Sequence, residues 1–217
     1  MLGHLQLQQL ADSAFPIGSA SHSFGLESLV DAGFLRVENL AGFLEVYLAE
    51  SGVLEAAYCR ASYGAILDDW LALNVDLGAR KPARESRDAS AAMGRRFLRL
   101  AAAVSDHPSL REASQAEAEV HLAPCFGFVA GTLGIDATTA AAAYLQQSMT
   151  ALISACQRLL PLGQTQAHRI LWDLKPSIVR AAKAACATPP PQVSCFTPLV
   201  DLASARHASL YTRLFMS

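Results

Sequence analysis

The chain has 217 residues, of which 52% are hydrophobic and 17% charged, with a formal net charge of −2. That length and apolar content support one sizeable core and exclude global disorder. The near-neutral balance gives no overall pull toward nucleic acid or an anionic membrane.

In chain order, helical patterning is expected over 3–12, 23–32, 37–50, 53–72 and 82–104. It resumes over 110–119, 124–133, 136–160, 164–173, 176–187 and 199–213. Alanine, leucine, glutamine and arginine dominate, and runs of β-branched residues are nearly absent, a composition that favours helix. The segment 136–160 is the clearest: Ala141, Tyr144, Leu145, Met149, Leu152, Ile153 and Cys156 recur at spacings of three and four. Asp136 or Thr138 can cap its start, and Pro161 with Gly163 ends it. In 82–104 the stripe is Ala89, Met93, Phe97 and Leu100, closed by His107-Pro108. The alanine-dense stretches 137–143 and 181–185 have little bulk, so neighbouring helices can approach closely. The expected fold is all-α, an irregular bundle of about ten helices (1–187). A Pro-rich break and a C-terminal helical docking tail (188–217) follow within the same domain, the tail ordered by a partner.

The N-terminus lacks the basic and apolar regions of a signal peptide. No run approaches the roughly 18 uninterrupted apolar residues of a membrane span. Five cysteines, odd in number and without a Cys-x-x-Cys pair, read as reduced thiols of a cytoplasmic protein. Six scattered histidines show no metal-ligand spacing. There is no Gly-x-Ser-x-Gly elbow and no phosphate-binding glycine loop. Neither a catalytic constellation nor a cofactor is therefore expected. Direct metal handling through His and Cys stays as the alternative function.

Seven of the seventeen basic residues (Arg80, Lys81, Arg84, Arg87, Arg95, Arg96 and Arg99) fall within twenty positions. One reading is a solvated helix face with Lys81–Glu85 and Arg84–Asp88 pairs. The other is a basic ridge that docks on an acidic partner through Arg84 and Arg87. Near the N-terminus, Pro16 and Gly18 set a turn between two helices. Ser21 or Ser23 can cap the second, which carries Gly25 and, in its first turns, Glu27.

This hairpin, with Leu7-Gln8-Gln9-Leu10, Phe15-Pro-Ile-Gly18, Ser23-Phe-Gly-Leu-Glu27 and Asp31-Ala-Gly33, resembles the start of the urease accessory protein UreF family. The resemblance continues in order through 83–94, Pro124-Cys-Phe-Gly-Phe-Val-Ala130, Arg158-Leu-Leu-Pro-Leu-Gly-Gln164, Ser204-Ala-Arg-His207 and Tyr211-Thr-Arg-Leu-Phe215. The chain departs from the family pattern at Ser19, Ala20 and Ala208. The resemblance implies a non-enzymatic, dimeric, all-α scaffold of urease maturation. Such a scaffold binds UreD (UreH in some organisms) and recruits the GTPase UreG to apo-urease for nickel insertion. Partner contacts are expected at the hairpin, at Gln164 after the 158–164 loop as part of the GTPase recruitment surface, and in the tail.

The tail has its own signal. On one continuous helix Leu199, Leu202, Arg206, Leu210 and Leu214 would share a face, with Tyr211 and Phe215 beside it. Arg206, His207, Tyr211, Arg213, Leu214 and Phe215 are the tail residues expected to meet a partner.

Overall fold

The computed structural model describes residues 1–217 and is helical throughout, with no strand. Its α-helices are α1 (Leu2–Leu10), α2 (Leu26–Asp31), α3 (Leu40–Tyr47), α4 (Val53–Ala61), α5 (Leu67–Ala79) and α6 (Arg84–Ser105). They continue as α7 (Pro108–Gln115), α8 (Leu122–Thr132), α9 (Ala137–Leu159), α10 (Gln164–Asp173), α11 (Lys175–Ala187) and α12 (Pro198–Arg206). The all-α expectation holds. No helix is long and apolar enough to cross a membrane.

Helix α8 is the centre of the bundle: residues 121–130 are all buried, and α4, α6 and α9 pack around it. Two glycines make this possible. A Cβ on Gly127 would lie 1.7 Å from the Cys59 carbonyl of α4, and one on Gly94 of α6 would lie 2.3 Å from the Val120 carbonyl. Aromatic rings then run through the core. Phe15 meets Phe97 at 5.7 Å between centroids, Phe97 stacks on Phe126 at 5.2 Å, and Phe126 meets Tyr144 edge-on at 5.8 Å. Offset and edge-to-face arrangements of this kind satisfy the ring quadrupoles. The stripes expected in α6 and α9 face this core, with Ala89, Met93, Phe97, Ala141, Leu145, Met149 and Cys156 all buried. Asp136 caps α9 by accepting the Thr139 N–H at 2.8 Å.

Three boundaries differ from expectation. The segment 53–72 is not one helix: Gly64 adopts a left-handed φ of 69°, ending α4 and letting α5 start afresh and run on to Ala79. Residues 37–50 and 53–72 are not separated where expected, because a π-helical turn, Leu48–Gly52, carries α3 directly into α4. The tail helix does not run to 213. It stops at Arg206, a single 3₁₀ turn spans His207–Ser209, and Leu210 is extended (φ −64°, ψ 137°). Leu210 and Leu214 therefore do not continue the face begun by Leu199 and Leu202.

The basic stretch also differs. Lys81 pairs with Glu55 of α4 rather than with Glu85, whereas Arg84–Asp88 forms as expected at 3.3 Å. Arg80, Arg87, Arg95 and Arg96 donate to main-chain carbonyls of Val193, Lys81, Ala116 and Ile17 respectively. Most of this ridge caps and braces its own chain.

Candidate functional site

The N-terminal hairpin and the C-terminal segment meet, and Glu27 is where they are joined. It is the second residue of α2, and only 6% of it is exposed. Its Oε1 accepts the Leu214 N–H at 2.6 Å, and its Oε2 accepts the Phe215 N–H at 3.3 Å. The same Oε2 lies 2.7 Å from His207 Nε2, and His207 is fully buried. Because a carboxylate only accepts, Nε2 carries the proton; Nδ1 is left without a partner. The helix-dipole argument for Glu27 remains sound, but three donors from the far end of the chain explain its burial.

Around this carboxylate the last four residues lie against 20–23. Met216 N–H donates to the Ser21 carbonyl at 2.8 Å, and Ser23 N–H donates to the Ser217 carbonyl at 2.5 Å. The Ser23 hydroxyl also donates to the Ser217 carbonyl, at 3.0 Å, and His22 Nδ1 lies 2.7 Å from the Ser217 hydroxyl. Burial, with Arg96 nearby, holds the His22 imidazole below its ordinary value. Arg158, at the end of α9, closes the junction. Its guanidinium donates to the Ala20 carbonyl at 2.9 Å and the Leu214 carbonyl at 3.2 Å, and lies 4.2 Å over the Phe215 ring. Phe215 itself is only 5% exposed.

Helix α12 crosses α2 at Gly25. That glycine has a φ of 87° and is the N-cap of α2, so neither Ser21 nor Ser23 fills that place. A Cβ there would lie 2.8 Å from Ser204 Oγ and 3.0 Å from both Ser204 N and Val200 O. The backbone that approaches Gly25 is thus the chain's own α12. Ser204 in turn accepts a hydrogen bond from Ser86 of α6 at 3.0 Å.

The expected site residues fall into three groups. Ser23, Gly25, Glu27, His207 and Phe215 converge and are buried. Arg206, Tyr211, Arg213 and Leu214 surround that junction but face outward, Tyr211 completely so. Pro16 is exposed on the hairpin turn, and Gly18 holds a left-handed φ of 84° beneath Arg96. Arg84 is exposed and Arg87 half-buried on α6, on either side of Ser86, whereas Gln164 is exposed at the start of α10. The outward face of α12 adds Leu199 and Leu202, with Phe196 just before it and Met216 near the end, all exposed. His22, Arg158, Ser204 and Ser217 escape sequence reasoning. Arg158 and Ser204 belong to motifs, but nothing local to Arg158 points to residues 20 or 214, and nothing local to Ser204 points to Gly25.

No three His, Cys, Asp or Glu side chains converge on one point, and all five cysteines are free thiols. The junction is built from hydrogen bonds to main-chain groups, a geometry that holds a segment in place and offers its outer side to solvent.

Residues 36–175 match the UreF family model. The urease accessory protein UreF of a Nostoc species is 35% identical over 98% of this chain and 95% of its own length. That of a Bacillus species is 32% identical over 98% of both chains, and that of a Bradyrhizobium species 36% identical over 94% of this chain and 88% of its own. With similarity spanning hairpin, bundle and tail alike, the chain belongs to the UreF family.

Proposed function

We propose that this protein is a non-enzymatic urease maturation factor. It acts as an adaptor that, with a UreD/UreH-like protein, recruits a UreG-like GTPase to apo-urease for nickel insertion. The names of the relatives, urease accessory proteins, support the urease accessory part of this reading. The observation that carries the adaptor part is the anchored tail, which keeps Leu199, Leu202, Tyr211 and Leu214 exposed around a buried clamp. Aromatic and arginine side chains on such a surface are effective anchors in protein interfaces, and Tyr211 and Arg213 stand here. In this reading Arg84 and Arg87 flank the same face through Ser86, Gln164 serves a separate contact with the GTPase, and the protein works as a cytoplasmic homodimer.

Co-purification with UreD- and UreG-like proteins from the same source tests the proposal. A ternary complex that is lost when residues 198–217 are deleted is the expected result. Equilibrium dialysis separates the alternative: tight stoichiometric nickel on the isolated chain, with no complex formed, would make it a direct metal handler.

A further inference from the structure

Between the bundle and the C-terminal segment lies a cavity of about 290 Å³, at the lower end of the ~300–1,000 Å³ typical of small-molecule sites. Its apolar lining includes Phe24, Met93, Leu145, Met149 and Leu152. Its polar lining includes Tyr47, Glu55, Lys81 and Asp201. Its roof is the tail itself, through Cys195, Thr197, Val200 and Asp201. Its wall includes Ser51 and Gly52 of the π-helical turn, a rare element that is frequent at functional sites.

Two carboxylates, Glu55 and Asp201, and two bases, Arg80 and Lys81, line this space, but both bases are engaged away from Asp201. Glu55 is held by the Lys81 ammonium and by the Tyr144 hydroxyl at 2.9 Å. Arg80 is occupied by the Val193 and Pro191 carbonyls and by Asp76. Asp201 has only the Thr197 hydroxyl, at 3.4 Å, and no basic side chain pairs with it. It is half-buried, and that burial raises its carboxyl above the ordinary value, against the opposing Thr197 hydrogen bond and the charge of Lys81, which forms no ion pair with it. Tyr47, whose phenol forms no hydrogen bond within the chain, faces the same space, and burial with Glu55, Cys195 and Asp201 nearby keeps it protonated. Ser90, 4% exposed, adds a second hydroxyl without a partner. A half-buried carboxylate beside the Tyr47 phenol favours a cation, and the apolar lining suits a hydrocarbon substituent.

We propose that this cavity binds a small organic ammonium ion, with its charged head at Asp201 and Tyr47 and its apolar part against Met93, Met149 and Leu152. An anion would meet an unpaired carboxylate, and an uncharged molecule would leave that carboxylate without a counter-ion. Because Asp201 belongs to the tail and Met93, Met149 and Leu152 to bundle helices, the bound ion ties the two together. Ligand and tail docking then stabilise one another by linkage. The site stands apart from the adaptor reading, and either can fail alone.

The test is calorimetric titration of the full chain with n-butylammonium chloride, against butan-1-ol, sodium butyrate and magnesium chloride at matched ionic strength. Saturable binding of butylammonium, about tenfold or more tighter than butanol, is expected. Asp201→Asn should abolish that preference, and Tyr47→Phe, which keeps the ring, should weaken binding. A second measurement needs no variant: butylammonium should slow alkylation of Cys195 by iodoacetamide, followed by peptide mass spectrometry. Equal binding of butanol, binding undiminished in Asp201→Asn, a preference for magnesium, or an unchanged Cys195 rate would each overturn the proposal.

Discussion

Glu27 and His207 are separated by 180 residues, yet Glu27 Oε2 lies 2.7 Å from His207 Nε2, both side chains buried. The same carboxylate accepts the Leu214 and Phe215 N–H groups, so one side chain at the start of α2 fixes the path of the last eleven residues. Removing it strands three donors away from water. Glu27→Ala is expected to cost about 3 kcal/mol or more, within the range for breaking a buried charged network. Glu27→Gln should cost less, because its amide oxygen still accepts. Urea unfolding gives the energies. Limited trypsin digestion gives the location: cleavage at Arg206 and Arg213 should accelerate in Glu27→Ala while the bundle stays resistant.

Gly25 sets the distance between α2 and α12. In an ordinary exposed helix, Gly→Ala stabilises by up to about 1 kcal/mol. Here the left-handed φ and the contacts at 2.8–3.0 Å with Ser204 and Val200 reverse the sign. Gly25→Ala is expected to destabilise by about 1–3 kcal/mol, and Gly25→Arg to lift α12 off the bundle. A thermal melt of Gly25→Ala at or above wild type would show that α12 does not rest on this glycine.

Acid should weaken the fold through histidines held neutral. His121 is fully buried with neither ring nitrogen hydrogen-bonded, although Glu119 Oε1 lies 3.3 Å from Nε2. Burial, with Lys81 and Arg87 adding to it and Glu55 opposing, pushes its pKa from 6.5 down to about 4. Below pH 6.5 the unfolded chain takes up the proton before the folded one does. Stability is therefore complete above that pH and falls as pH drops from about 6.5 toward about 4. The loss amounts to about 3 kcal/mol from this residue. His22, depressed in the same direction, adds to the slope from the tail junction. Unfolding free energies measured across this window should show the decline. His121→Leu should flatten it; an equally steep decline in that variant would assign the acid sensitivity to other groups.

The outward side of the tail should behave in the opposite way. Tyr211 is fully exposed and Arg213 exposed, so replacing either with Ala should change stability by no more than about 0.5 kcal/mol. Under the adaptor proposal each should still cost about 1 kcal/mol or more of affinity for the UreD-like partner. Titrations with the purified partner decide it: unchanged affinity in both variants moves the interface away from the tail.

Helix content, the inward stripes of α6 and α9, and the Asp136 cap were legible in the sequence because each depends on neighbours three or four residues away. The family was legible because five motifs occur in order from hairpin to tail. The break at Gly64 and the π-helical turn at Leu48–Gly52 were not, since each sits against a distant segment: the turn packs on α11, and the Gly64 backbone lies against Gly131 of α8. The tail shows the limit most clearly. Its apolar spacing continues the period of α12 to Leu214, and taken locally that spells one long helix. Glu27, however, draws the Leu214 and Phe215 N–H groups away from any helical ladder, and Arg158 takes the Leu214 carbonyl. Sequence by itself determined which residues form helices and which family the chain resembles. Only tertiary structure decided that Ser23, Gly25 and Glu27 receive the chain's own end. Those bonds join residues roughly 180 or more positions apart, and the crossing of α2 and α12, not any local propensity, sets their geometry.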